Sequence, residues 1–462
     1  MIRTLLLCSA LLAMPAVAAP ATTATGDAAD AKALLMAGVG YDTVKGRGRT
    51  PAYAAFLKDY LVKGGFAPAD VSITEMAGTA ALHLHWKGKA KSKQAPIAIT
   101  AHMDVVEANP KDWVRDPFTA VEDGGFIFGR GIEDNKFDLT MVVATLVRLK
   151  RAGFTPGRDI HLFLSGDEET DGFTAAEQAR QAKALGIEYM LNTDAGGGML
   201  TPDGQAAGYW LQAAEKSYAD YRITLTDPGG HSSTPGASNA IARMGSIAAR
   251  IGAYRFPAQI NEITRGALTD AASKRSDAIG QAMAAFVANP ADAAAIATLR
   301  ADPGSIGQIA TTCVPTMIEG GHAPNALPQR VVMTVNCRIF PGTSVAAVRD
   351  ELARIAADPD AKVTSELEWL STPASPLRPD VMGAVAAAVA ARHPGMKPVP
   401  SMSAGATDSV YYRAAGIPSY GVGSLFMKVA DSFPHGLNER VPASAIAPGL
   451  AHWETLIRQL AR

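Results

Sequence analysis

The residue types able to do chemistry recur at one kind of place in this chain. His102-Met103-Asp104 follows the apolar run PIAITA (96–101), Asp167-Glu168-Glu169 follows IHLFLS (160–165), and Asp194 follows YMLNT (189–193). Asp134 lies in Gly129-Arg130-Gly131-Ile132-Glu133-Asp134-Asn135-Lys136, at the entrance to a helical pattern. His435, in Ser432-Phe433-Pro434-His435-Gly436, comes after a strand-like run at 417–424. Each piece alone is commonplace: an isolated His-x-Asp is usually incidental, and a Glu-Glu pair on a loop is usually solvated. Together they point to a site, because ligands gather at the carboxyl ends of strands in open α/β sheets. Imidazole and carboxylate are the ligands of zinc-like ions. Five such ligands exceed what one ion with an open position takes, and they suit two ions that share a carboxylate and activate a water between them. The adjacent Glu168 and Glu169 divide the remaining work, one binding metal and the other shuttling a proton. Asp104, two residues after His102, is placed to fix that imidazole's tautomer.

The elements that must position these groups alternate. Short apolar runs of strand length at 96–101, 160–165 and 189–193 are interleaved with a helical face over 137–149, closed by Gly153 and Pro156. That alternation predicts a largely parallel sheet with helices on both faces. The middle of the chain reads differently: strand 218–226, helix 237–254, strands 309–318 and 331–340, helix 343–357 with Thr343 as its cap, and strand 361–370. This β-α-β-β-α-β order is that of a small sheet with two helices on one face, and Ala-rich helices at 256–301 interrupt it. The fold class is therefore α/β, with a discontinuous catalytic domain (27–214 and 373–462) and an inserted α+β domain at 215–372.

His102-Met103-Asp104, WVRDPF (113–118), GRGIEDNK (129–136), Asp167-Glu168-Glu169 and GGHSSTPG (229–236) resemble, in order, the M20 family of metallopeptidases and deacylases. The resemblance implies that His102 and Asp194 hold one metal, Glu169 and His435 the other, and Asp134 bridges them. It gives Glu168 the role of general base and acid, and Asp104 that of orienting His102. The central domain resembles the family's dimerisation or lid domain. Its His231 would stabilise the oxyanion, acting in the partner subunit's site of a homodimer. Asn325, Arg338, Gly405 and Thr407 fall at substrate-side positions, with Arg338 suited to a bidentate grip on a carboxylate. The implied cofactors are two zinc ions per subunit, with cobalt or manganese as substitutes. Asp194, where several family carboxypeptidases and deacylases carry Glu, is closer to the dipeptidase, aminopeptidase and Gly-Xaa carboxypeptidase branches. The expected activity is an exported carboxypeptidase or dipeptidase, with N-acyl-amino-acid hydrolysis as the alternative. A metal-bearing binding protein without catalysis would be expected to have lost the base or a ligand, and all six positions stand here. A zinc aminopeptidase without a lid would lack the inserted segment.

Composition bounds the rest. The 462 residues carry a net charge of −1, which argues against a nucleic-acid footprint. Arg3, the apolar stretch 5–17 and Ala16-Val17-Ala18 read as a signal peptide cleaved after Ala18. That implies a periplasmic or secreted protein with no membrane span in its mature form. Cys313 and Cys337 lie at equal distances from Asn325 in a hairpin pattern, as a disulfide or as two buried thiols. His83, His85, His161, His322, His393 and His452 match no ligand motif and read as structural or surface residues.

Overall fold

The computed structural model describes residues 21–89, 92–365 and 372–462, so the signal segment, and the part of the 361–370 strand beyond Ser365, lie outside the described residues. A ten-stranded sheet forms the body of the molecule. Its centre is the parallel set Ile160–Ser165, Ile97–His102, Met190–Asn192 and Ser419–Gly421, each hydrogen-bonded to the next. The flanks are mixed. Thr79–Trp86 and Val71–Met76 add antiparallel on one side. On the other, Ala206–Glu215 runs antiparallel to Ser419–Gly421 and parallel to Pro398–Ser403. The sheet is thus parallel where the chemistry sits and mixed at its margins.

The central strands have no polar face because both faces are covered. All six residues of Ile97–His102 and of Ile160–Ser165 are buried. Alternation splits them between two layers. Ile97, Ile99, Leu162 and Leu164 join the main core with Leu139, Val143 and Trp453 from the helices Phe137–Arg151 and Ile446–Leu460. Ala98, Phe163 and Met190 pack on the opposite face against Ala179 and Ala182 of Phe173–Ala184 and Tyr412 of Ser409–Ala414. Each parallel strand therefore ends at the same rim of the sheet, which is where His102, the turn 166–169 and Asp194 emerge.

The middle of the chain builds a separate antiparallel sheet, ordered Thr312–Gly320, Arg330–Ile339, Ser217–Thr226 and Lys362–Ser365. Helices Ala240–Ala253 and Val345–Ala356 close over it around a core that includes Tyr221, Ile223, Ile247, Val335 and Leu352. Four further helices between Glu262 and Ile309 carry their own apolar cluster around Leu268, Phe286 and Leu299. Three details differ from the sequence reading. Residue Ile309 ends a helix, and the strand begins at Thr312. The cap of Val345–Ala356 is Ser344, whose hydroxyl accepts from the Ala347 N–H, and not Thr343. In the 417–424 run only Ser419–Gly421 is strand. Cys313 and Cys337 are register partners on neighbouring strands and are joined by a disulfide. Among the described residues no helix is long and apolar enough to cross a membrane.

Candidate metal centre

Five loops at the carboxyl rim bring the sequence-selected groups together. His102 is the last residue of its strand and is 1% exposed. Its Nε2 lies 2.9 Å from Asp134 Oδ1 and 3.5 Å from Asp194 Oδ1. The second oxygen of Asp134 lies 3.1 Å from His435 Nε2, and that same nitrogen is 2.9 Å from Glu169 Oε1. Asp134 thus faces one imidazole with each of its oxygens. One ligand atom each from His102, Glu168 and Asp194 also fall within 4.8 Å of one another, as do those of His102, Asp134 and Glu169.

The electrostatics of this cluster call for a cation. Among the described residues, the ion pairs of Asp134, Glu169 and Asp194 are all with histidine. Burial and the neighbouring Asp134 charge hold the Asp194 carboxyl well above its usual range, and burial with the Asp194 charge does the same to Glu168. Burial opposes protonation of His102, yet Asp194 and Asp134 outweigh it and raise that imidazole. Hydrogen bonds donated to the Asp134 and Glu169 carboxylates push His435 up to about 10. Four carboxylates share a partly buried pocket with two imidazoles, and desolvated carboxylates at this density demand positive charge. The donor set of nitrogen and oxygen ligands suits divalent transition ions, so the residues fit a metal pair.

Asp104 acts differently from the sequence expectation. The His102 Nδ1 is held by the Asp104 backbone carbonyl at 3.0 Å, whereas the carboxylate is 3.7 Å away. The carboxylate instead accepts the backbone N–H groups of Glu168 and Glu169, at 3.1 Å each. In a His-x-Asp turn the main chain reaches back to the ring first, which frees the side chain to fix the neighbouring loop.

Two residues that sequence reasoning passed over hold the site from behind. Glu439 is fully buried, and its oxygens accept the N–H groups of Gly131, Glu133 and Asp134 at 2.9, 2.8 and 3.1 Å. Arg130 Nη1 donates to Glu439 at 2.7 Å, and its Nη2 donates to the His435 carbonyl at 3.1 Å. This pair ties the Asp134 loop to the His435 loop. Glu133 adds a second tie by accepting from Ser432 and from the Phe433 N–H. The only signal in the sequence was that Arg130 sits inside the 129–136 motif.

The remaining candidates make no contact with the ligand side chains among those described, although Thr407 lines the same cavity as Asp134 and Asp194. His231 is exposed, and its Nδ1 is bonded by Ser233 within its own turn. It lies beside Asn325, whose carbonyl accepts the Ser232 N–H. Arg338 is stacked on Tyr218 and reaches the Ala404 carbonyl at 3.4 Å, next to Gly405. Thr407 is buried and bonded to Glu215 and Asn192. A cavity of about 540 Å³ opens beside Asp134 and Asp194, with apolar Met199, Trp210 and Met427 and polar Gln212, Ser403 and Lys428 among its walls.

The model of peptidase family M20/M25/M40 matches residues 98–459. The chain belongs to this family. As an M20 hydrolase it is 27% identical over 371 residues to the N-fatty-acyl-amino acid synthase/hydrolase of Danio rerio, covering 78% of this chain and 71% of that one. It is 26% identical over 387 residues to aminoacylase-1 of Mus musculus, covering 82% and 83%. Its fold matches the M20 family metallo-carboxypeptidase of Sulfolobus solfataricus with a TM-score of 0.69 at 17% identity, covering 93% of this chain and 99% of the other. It also matches a dinuclear metal binding M20 peptidase of Bacillus subtilis with a TM-score of 0.56 at 14% identity, covering 95% and 100%. The M20 fold thus carries the cluster at the expected rim of its sheet.

Proposed function

We propose that this M20 hydrolase is a dinuclear zinc enzyme that cleaves the amide bond of N-acyl amino acids, favouring an apolar acyl group. The observation that carries the metal reading is the position of Asp134 between His102 and His435. His102 and Asp194 would hold one ion, Glu169 and His435 the other, with Asp134 shared. When bound, such a pair lowers the pKa of a water and polarises a carbonyl.

The chain's own residues do the rest. Glu168 takes the proton of the attacking water and delivers it to the leaving nitrogen. Asp104 holds the 168–169 turn through two backbone N–H groups, so the base and its neighbouring ligand keep a fixed relation. His231 would meet the developing oxyanion from the partner subunit of a homodimer, and Arg338, beside Gly405, would take the substrate carboxylate.

Acyl specificity rests on the cavity. Among its walls, Met199, Trp210, Leu425 and Met427 offer apolar area beside two of the ligand carboxylates, and Met surfaces adapt to varied chains. Two relatives that match over most of this chain are named N-fatty-acyl-amino acid synthase/hydrolase and aminoacylase-1. A peptidase acting on dipeptides is the second reading, favoured by Asp194 and by the carboxypeptidase fold match. Export by the 1–18 segment is part of the same proposal.

The test is a hydrolysis screen of N-acyl amino acids of rising chain length against dipeptides, each with a free or amidated C-terminus, run beside Glu168→Gln. The account expects turnover to favour acyl amino acids with free carboxylates. The Glu168→Gln variant should lose ~10²–10⁴-fold in turnover while keeping its metal. Faster cleavage of dipeptides would give the second reading.

A further inference from the structure

The opposite end of the same sheet carries three histidines that the catalytic reading does not use. His83 and His85 alternate on Thr79–Trp86 and so leave the same face. His161 stands directly across from His85 on the antiparallel neighbour. Asp159 precedes that neighbour, and its Oδ2 lies 2.7 Å from His85 Nε2. The His85 and His161 rings are parallel, with centroids 4.4 Å apart. One ligand atom each from His85, Asp159 and His161 lie within 4.8 Å of one another. Ser165 pairs with His102 while His161 pairs with Ala98, so four strand residues, about 13 Å, separate this cluster from the catalytic rim.

We propose that His85, His161 and Asp159 form a second, non-catalytic site for a divalent transition-metal ion, with His83 as its positioning residue. In His161 and Asp159 the atoms not needed for ligation are already occupied. His161 Nδ1 is 2.9 Å from His83 Nε2, which leaves His161 its other nitrogen. His83 is in turn held by Gln181 at 3.2 Å from its Nδ1. Asp159 Oδ1 accepts the Gly88 N–H at 2.8 Å, which leaves Oδ2 facing His85. Metal-binding histidines and carboxylates are oriented by this kind of outer hydrogen bond. Stacking on Phe163 accounts for the packing of His83, but it does not account for a carboxylate turned toward His85.

Two imidazoles and a carboxylate select zinc, copper or nickel over calcium and magnesium, which take oxygen ligands. Zinc bonds of ~2.0–2.1 Å require ligand atoms about 3.4 Å apart. Binding therefore requires the His85 ring to turn out of its stack on His161, a motion open to a side chain that is 30% exposed and borders a cavity of about 480 Å³. Lys87 and Lys89 also border this cavity. Lys87 leans toward Asp70, 3.9 Å away, and the charges of exposed lysines are screened by salt. An ion here would pin the strand Thr79–Trp86 to the segment that opens Ile160–Ser165.

The experiment compares the full chain with His85→Gln and Asp159→Asn, both changes at partly exposed side chains. Zinc is titrated into each protein and bound metal is counted per chain. Cobalt absorption is then recorded after the catalytic positions have been filled with zinc. The proposal expects the unsubstituted protein to bind one equivalent more than either variant. It also expects a tetrahedral cobalt band that both variants lose, a zinc-dependent rise in Tm larger than either variant shows, and unchanged turnover. Equal zinc uptake by all three proteins would overturn it. Loss of turnover together with the extra ion would overturn its separation from catalysis.

Discussion

Arg130 and Glu439 form a buried ion pair, 2.7 Å apart, that touches no substrate position yet fixes both the Asp134 loop and the His435 loop. Replacing Glu439 by Gln keeps the volume and removes the charge. The buried Arg130 is then left uncompensated, which costs about 3–5 kcal/mol. Metal affinity should fall roughly 10–100-fold, as it does when outer-shell partners are removed. Urea unfolding and a zinc competition assay measure the two effects separately. Wild-type affinity in Glu439→Gln would remove this pair from the account of the site.

The position of His231 makes its role testable across a subunit boundary. Its ring is exposed and bonded within its own turn. If it serves a partner's site, Glu168→Ala and His231→Ala chains, each inactive alone, should regain activity when mixed, because one site in the mixed dimer is then intact. Verified mixed dimers without recovered turnover would refute action in trans.

What the sequence made legible follows from what patterning encodes. Apolar runs ending in His102, Asp167 and Asp194 report strands buried on both faces, and the residues just beyond such strands share a rim. Hence the ligands could be gathered without knowing any distance. The Arg130–Glu439 pair could not, because 309 positions separate its members and Glu439 carries no local signal. The choice of Ser344 over Thr343 as a cap turned on one residue of backbone geometry. The role of Asp104 depended on a main-chain carbonyl that every residue has. Cys313 and Cys337 were legible as opposed positions, but their bond was left open.

His452, which is not a metal ligand, sets a pH dependence of its own. Burial lowers its imidazole from the ordinary 6.5 to about 4, and its Nε2 bonds the Val422 carbonyl at 3.0 Å. The unfolded chain takes up a proton that the folded chain refuses. The contribution is therefore fully present above about pH 6.5 and is lost as the pH falls toward 4, amounting to about 3 kcal/mol. Urea titrations across this window should show that slope, and His452→Gln should lack it.

The Cys313–Cys337 bond closes a loop with a sequence separation of 24 within the small sheet. Chain-entropy arguments give such a loop about 3 kcal/mol. Replacing both cysteines by Ser should lower stability by that order while leaving metal content unchanged, since neither residue is among the proposed ligands. Calorimetry and metal analysis together decide this, and a loss of bound metal would contradict it.

The direct test of the central claim is anomalous diffraction at the zinc edge from crystals of the loaded protein. The account predicts two peaks at the catalytic rim, one on each side of Asp134, with His102 and Asp194 at the first and Glu169 and His435 at the second. A single peak there, or two peaks that do not share Asp134, would contradict it.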